Sequence, residues 1–479
     1  MVPPEVLLKI GFLLPDAASF FSFLEALDAP AARGPFFESL WQLGSSGIDR
    51  SHLWPSLTMT GAIFQTPRRL ALVESVLGLY SNVKVMGRCD LGWLHNHLRP
   101  SNSITWNALF PSASSDTNIH GAHVPLDEWY TMWAVLPITN LDLVAHPSRG
   151  YSKLNPFAAM DEWGSDAEQC FYAVLPQCLH LAALSFVGTL NLSVIFNLAA
   201  QSSSSLVELN LTSSHVYPSL LSAAELTHAT QWLATTPVRR FCIPKVTFGG
   251  DVDTTVRNAF FSALLSCPSM EVIEGTGWDL TALETAILPI TLGTQRLMLH
   301  QPTVTPSSLI TLAHAVCNST AVMQLTLTGY KAVTAYSRED YGSAFQVLME
   351  AVTHSSVTSL DVTGCYLHDC YWPRLGPMVQ TSKLQTLTLK RNEISDEGVA
   401  WIAQAIQANL TLTRVELDDN LISSDGVLRL LNSGADRPRP LSLSLLWNYG
   451  GLNEDVNVKL RALATDWGVN LEIATYFVH

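Results

Sequence analysis

The feature that most limits what this chain can fold into is a repeat. Residues 384–411 read LQTLTLKRNEISDEGVAWIAQAIQANLT, and residues 412–431 read LTRVELDDNLISSDGVLRLL. Leu412, Val415, Leu417, Asn420, Ile422 and Gly426 each fall 28 residues after Leu384, Leu387, Leu389, Asn392, Ile394 and Gly398. The register continues through Leu443, Leu445 and Asn448 to Leu471 and Ile473, so units open at 384, 412, 440 and 468. With 479 residues the chain exceeds the roughly 250–300 at which a single compact core stops growing. A stacked array escapes that limit, because each unit buries its apolar side on its neighbour.

Each unit spells strand, turn, helix. In LQTLTLK, Leu387 and Leu389 point to one face, and Thr386, Thr388 and Lys390 to the other. Asn392 falls where the chain turns, and its amide can satisfy backbone groups there. Ser395 is the expected helix N-cap, with Asp396 and Glu397 in the first turn. Val399, Ile402 and Ile406 then recur at helical spacing, and Asn409 is a stop. Towards the N-terminus the strand pattern returns at looser intervals of 24 to 35 residues: Val357-Leu360-Val362, Val322-Leu325-Leu327, Leu297-Leu299, Met270-Ile273, Val238-Phe241-Ile243, Leu206-Leu209-Leu211 and Leu181-Leu184-Phe186. Ile138-Leu141-Leu143, Tyr80-Val83-Val85 and Trp54-Leu57-Met59 are degenerate copies, and 86–137 is irregular.

These residues resemble the leucine-rich repeat family, in its ribonuclease-inhibitor-like subclass with a 28- to 29-residue unit. The match is specific over 357–479 and loosens over 181–356 and again over 50–180. The resemblance implies an α/β solenoid, a right-handed β/α horseshoe with a parallel sheet on its concave side.

Residues 1–43 follow another pattern. Pro3, Pro4 and Glu5 open a helix-like run with Leu7, Ile10 and Leu14 on one face, which Pro15-Asp16 ends. Ser19 is placed to cap a second run holding Phe20, Phe21, Phe23 and Leu24, and PFFESLWQL follows with Phe37, Leu40 and Trp41. This segment resembles an F-box, on Val2-Pro3-Pro4-Glu5-Val6-Leu7, then Ile10 and Leu13, then Ser19-Phe20-Phe21-Ser22-Phe23-Leu24. It departs from that family in having phenylalanines for leucines and the insert DAPAARGP before Trp41. The resemblance implies a small α-helical N-terminal module that grips a Skp-type adaptor, and through it a cullin, with Val2, Pro3, Leu7, Ile10, Leu13, Phe20, Phe21 and Leu24 as the adaptor-binding residues. F-box plus repeats is the layout of substrate receptors of cullin–RING ubiquitin ligases. The competing reading is a stand-alone repeat scaffold or regulator, with residues 1–43 as the amphipathic end cap that a solenoid needs. The two readings differ in whether the module's apolar face is free or buried on Trp54-Leu57-Met59.

Composition bounds the rest. Hydrophobic residues are 48% and charged ones 14%, which excludes wholesale disorder. A net charge of −14 repels phosphate backbones, so nucleic acid is not an expected partner. No run of 18 uncharged apolar residues is present, so no membrane span is expected. The apolar N-terminus lacks a basic flank and carries Lys9, a poor signal peptide. The eight scattered cysteines read as reduced thiols of a cytoplasmic or nuclear protein. Sequons at Asn191, Asn210, Asn318 and Asn409 would suit a secreted recognition protein, against which the missing signal argues.

No metal, cofactor or catalytic residue is expected. His95, His97, His120 and His123 with Asp116 and Asp127 lack a zinc spacing, and Cys365 to Cys370 falls in a repeat turn. No phosphate loop, G-x-S-x-G or H-E-x-x-H occurs. The outward strand positions instead form columns on which a protein partner would sit. One runs Glu208, Arg240, Val272, Arg296, Gln324, Ser359, Thr386, Arg414, and the next Asn210, Cys242, Glu274, Met298, Thr326, Asp361, Thr388, Glu416. A third holds His300, Thr328, Thr363, Lys390, Asp418 and Leu446. The C-terminal end mixes charge with aromatic rings, a hot-spot composition, so Asp361, Lys390, Arg414, Glu416, Asp418 and Trp447 are the candidate partner-binding residues. Tyr371 and Trp372 are second choices.

Overall fold

The structure is a computed structural model. It describes residues 4–87, 89–99, 101–108, 110–111, 117, 123–143, 165–187, 191–212, 219–285, 290–435, 437–448 and 454–473. The chain forms two compact units, Met1–His215 and Val216–His479.

The first unit opens with three helices, α1 (Pro4–Leu13), α2 (Ala17–Ala26) and α3 (Pro30–Ser45). Asp16, not Ser19, caps α2: its carboxylate accepts from the Ser19 N–H at 2.8 Å and the Ser19 hydroxyl at 2.9 Å. Six strands follow, β1 (Leu57–Thr60), β2 (Asn82–Met86), β3 (Ser103–Asn107), β4 (Ile138–Leu143), β5 (Ala183–Val187) and β6 (Glu208–Thr212). They pair in parallel and in chain order. Parallel neighbours need a crossover, and a helix supplies each one, for example Leu126–Ala134 between β3 and β4.

β3 corrects the reading of 86–137 as irregular. Ile104 pairs with Val83 only 21 residues earlier. The register then slips at Ile104/Thr105 against β4, so that Trp106, not Ile104, aligns with Leu141. Aromatic rings fill the space that the broken period leaves. Trp106, Trp133 and Phe171 are fully buried, and Phe110 meets Trp133 edge-to-face at 4.9 Å.

The second unit contains β7 (Ser219–Leu221), β8 (Arg240–Ile243), β9 (Val246–Phe248), β10 (Val272–Thr276), β11 (Arg296–His300), β12 (Thr303–Val304), β13 (Gln324–Thr328), β14 (Lys331–Ala332), β15 (Ser359–Asp361), β16 (Thr386–Thr388), β17 (Arg414–Glu416), β18 (Leu441–Ser444) and β19 (Val469–Glu472). β8, β10, β11, β13, β15, β16, β17, β18 and β19 are successive neighbours in a parallel sheet, while β7 pairs with β9 and β12 with β14. Phe241, Ile273, Leu297, Leu325, Leu360, Leu387, Val415, Leu443 and Leu471 lie in one row across the sheet. Successive helices pack side by side along it. The fold is a solenoid-like α/β repeat built on parallel sheet.

Two polar ladders explain the spacing. The Asn420 side-chain carbonyl accepts from the N–H groups of Asn392 and Ile394, each at 3.0 Å, one repeat earlier. Its amide donates to Leu389 O and Leu417 O at 2.9 Å. Asn392 does the same one repeat earlier still, accepting from Cys365 N at 2.8 Å and donating to Val362 O at 2.9 Å. Asn448 continues the series with Ile422 N and Leu417 O. Cys365 stands in the asparagine's place in its own unit, and its buried thiol donates to Leu327 O at 2.9 Å. The second ladder runs between helix starts. The Asp369 carboxylate accepts from Ser395 N at 2.9 Å and Gly398 N at 3.0 Å, and the Asp396 carboxylate accepts from Ser423 N at 2.9 Å. A Cβ on Gly398 would come within 2.4 Å of an Asp369 oxygen, and one on Gly426 within 2.2 Å of Asp396, so both positions exclude a side chain.

Candidate functional site

The N-terminal module buries four of the eight residues expected to face an adaptor. Leu7 is 4% exposed, and Phe20, Phe21 and Leu24 are fully buried, so these four are core rather than contact surface. The reason is Trp54. Its ring stacks on Phe20 at 4.1 Å and 7°, and its Nε1 donates to Leu14 O at 2.9 Å. Helix α3 also packs along the helix Pro67–Val76. Val2 and Pro3 lie outside the described residues. Ile10 and Leu13 are exposed, at 38% and 81%, and with Val6 they form a stripe at i, i+4 and i+7 on α1. Phe12, just beside the stripe, is half exposed.

At the other end of the chain, the sheet register brings the predicted charges together. Lys390 Nζ lies 2.7 Å from Glu416 Oε2 and 3.0 Å from Asp418 Oδ2, and Arg414 holds the other Glu416 oxygen. Burial alone would raise the Glu416 carboxyl, but hydrogen bonds from Lys390 and Arg414 outweigh it and hold the group below its ordinary value. Burial would likewise lower Lys390, and the bonds to Glu416 and Asp418 raise it instead. Asp418 is only 5% exposed and also accepts from Ser444 Oγ at 2.6 Å and Leu446 N at 2.9 Å. Asp361 turns back on its own strand end, accepting from Thr363 N at 3.0 Å. Asp418 therefore joins its repeat to the next and Asp361 is tied to its own turn, so neither offers free charge, and Lys390 and Arg414 are neutralised by Glu416 and Asp418.

Trp447 is the outlier of this end. It is 57% exposed and has φ of +55°. Asp419, Arg391, Gly364 and Gly329 hold the same left-handed position in earlier units. That conformation costs an L-residue about 1–2 kcal/mol, and glycine or asparagine is its usual occupant. A bulky ring held there in solvent is a strained feature of the kind that gathers at binding surfaces.

A cleft of about 540 Å³ lies among Tyr330, Tyr336, Tyr341, Tyr366 and Tyr371, beside Phe345. Of these only Tyr371 was anticipated; Trp372, its neighbour, is buried in the core. The sequence signal was the 35-residue interval from Val322 to Val357, seven longer than the regular unit. Part of the extra length enters the wall Gly329–Ser337, and part lengthens the helix Arg338–His354 to 17 residues, against 13 for Asp396–Ala408 in the regular unit.

Among the described residues the candidate histidines bond separate partners. His95 Nε2 bonds Met132 O at 2.8 Å, and His97 stacks on Trp93. His123 Nδ1 bonds Thr117 O at 2.7 Å, while His120 and Asp116 lie outside the described residues. Among the described residues no group of three or more His, Cys, Asp or Glu side chains could hold a metal ion, and no helix is long and apolar enough to cross a membrane. All eight cysteines are free thiols.

These elements define the class of the protein as a solenoid-like α/β repeat protein. No protein-family profile and no curated protein matches the chain. Among solved structures it is similar to a structural-genomics target from Bacteroides fragilis, at 14% identity and a TM-score of 0.28, over 50% of this chain and 65% of that one. The match spans just under two thirds of that protein's length, and the likeness is too slight to bear on fold or function.

Proposed function

We propose that the protein is a non-catalytic protein-recognition receptor, a leucine-rich-repeat horseshoe acting in the cytoplasm or nucleus. In its sharpest form it is the substrate-recruiting F-box subunit of a cullin–RING ubiquitin ligase, with the repeats holding an unidentified protein substrate. The observation that supports this reading is the stripe Val6, Ile10 and Leu13, left in solvent with Phe12 beside it by a module that buries Leu7, Phe20, Phe21, Leu24 and Phe37. An end cap alone has no use for an exposed apolar stripe, whereas an adaptor interface does.

The Phe20–Trp54 stack favours the second reading, a stand-alone repeat scaffold in which residues 1–43 close the end of the sheet. The test is co-elution of the purified full chain with a Skp-type adaptor, beside an Ile10→Glu, Leu13→Glu variant. Both positions are exposed, so the variant keeps its fold. Under the receptor reading the native chain co-elutes at one-to-one stoichiometry and the variant does not. If the native chain fails to co-elute, or both bind alike, the scaffold reading replaces it.

A further inference from the structure

The cleft in the long repeat is built, not incidental. Tyr341 donates to Val304 O at 2.9 Å and accepts from Val333 N at 2.7 Å, so its hydroxyl pins the inserted wall to the preceding repeat. Tyr371 donates to Arg338 O at 2.9 Å from the following repeat. Its ring lies so close to the helix Arg338–His354 that a Cβ on Gly342 would come within 2.1 Å of it. Tyr330 is buried at the base, with its ring centroid 5.3 Å from Tyr341, 5.6 Å from Phe345 and 6.1 Å from Tyr366. Tyr336 and Tyr366 remain exposed, at 39% and 51%.

Three observations say what such a cleft would hold. Its volume and aromatic lining suit one or two large apolar side chains, with tyrosine hydroxyls for orientation. Its rim carries Lys331 and Arg338, both exposed and neither with a carboxylate within ion-pair distance among the described residues. Arg338 Nη1 lies 3.5 Å from His368 Nε2, which leaves its charge without a carboxylate, and in a chain of net charge −14 two such cations on one rim select an acidic ligand. The rim also carries a strand. β14 is paired with β12 on one edge only, and both of its residues are exposed. An open strand edge binds extended polypeptide by main-chain hydrogen bonds. A small anion would use the cations but leave this edge idle, so the occupant is a peptide.

We propose that this cleft is a recognition site for an extended segment of a partner protein, with an aromatic or long apolar side chain among the tyrosines and an acidic residue beside it against Lys331 and Arg338. The site deepens the receptor reading by giving it a place to hold substrate. It rests on protein recognition, not on the adaptor.

The test is selection of random dodecapeptides displayed on phage against the immobilised full chain. Recovered sequences are made synthetically and titrated against three proteins: the native chain, Lys331→Glu with Arg338→Glu, and Tyr336→Ala with Tyr366→Ala. All four positions are exposed, and circular dichroism verifies the fold of each variant. The expected result is a shared pairing of a large apolar residue with an acidic one, and an affinity loss of at least about tenfold on both variants. Basic consensus sequences, equal binding to the charge-reversed chain, or no sequence that prefers the native chain each overturn the proposal. Adaptor co-elution is scored on the same preparations, so failure of the cleft and failure of the receptor reading are told apart.

Discussion

Asn420 tests the account of the repeat most directly. Its side chain is 4% exposed and joins two units. Replacing it with alanine leaves the Asn392 and Ile394 N–H groups without acceptors inside the protein, and the Leu389 carbonyl loses a donor. A buried donor left unsatisfied costs about 1–3 kcal/mol, so the two amides together put the loss near 4 kcal/mol. Unfolding of a repeat array need not be two-state, so a single global value is a poor readout. Amide hydrogen exchange followed at Asn392 and Ile394 reads the loss locally, and 4 kcal/mol corresponds to acceleration of up to about a thousandfold. Asn420→Cys is the informative control. Cys365 already fills this position one repeat before Asn392, donating to Leu327 O, with the backbone N–H groups of Tyr330 and Gly329 facing its sulfur. A thiol at 420 should therefore recover part of the loss, giving the order native, cysteine, alanine. If alanine leaves exchange at both amides within about fivefold of native, or if cysteine is no better than alanine, the asparagine ladder is not what joins the units.

Two further outcomes follow from the same geometry. Gly426→Ala should lower the urea midpoint by the equivalent of about 2 kcal/mol, because its Cβ would displace the Asp396 carboxylate that serves the Ser423 N–H, whereas Gly250→Ala, with open space around it, should leave the midpoint unchanged. The Lys390 cluster should stabilise the C-terminal repeats only between two limits. Glu416 is depressed below 4.5, so its contribution is present above that value and is lost as pH falls through the folded value; Lys390 is raised above 10.5, so its contribution is present below that value and is lost as pH rises further. Urea midpoints measured from pH 3 to 11 should fall at both ends for the native chain, and Lys390→Met should weaken both slopes.

The periodic part of the fold was legible because period is a direct consequence of packing. Every leucine or valine placed in the strand row from Leu387 to Leu471 aligns with its counterpart, and even the degenerate sites Leu57, Val83 and Leu141 fall on strands. β3 escaped because Ile104 and Trp106 sit at an interval that matches no other unit, and the rings packed around them erase the leucine pattern. The columns of outward residues were also legible, since register follows from the same row. What the columns could not show was whether a side chain looks outward or back at its own turn. Asp361 and Asp418 occupy outward positions and still bind backbone N–H groups. Likewise Phe20 and Phe21 read as an amphipathic face, but only the tertiary position of Trp54 decides that the face is covered.

Regular repeats and specific recognition make opposing demands on the same residues. A unit that repeats must offer each neighbour complementary polar groups, so its charges pair within the array, as Lys390 does with Glu416 and Asp418. A surface whose charges are already paired has little left to discriminate one partner from another. Selectivity must then come from places where the repeat is broken without disturbing strand register. The long unit between Val322 and Val357 meets that condition: Gln324 still pairs with Ser359 and Leu325 with Leu360, while part of the extra length leaves the sheet and walls a tyrosine cleft whose two rim cations, Lys331 and Arg338, have no carboxylate partner among the described residues. Trp447 meets it in a smaller way, placing a ring where the period calls for a residue that tolerates positive φ. The stripe on α1 meets it from outside the array altogether. Under the proposed receptor reading, these irregular positions are where a partner would be told from its competitors.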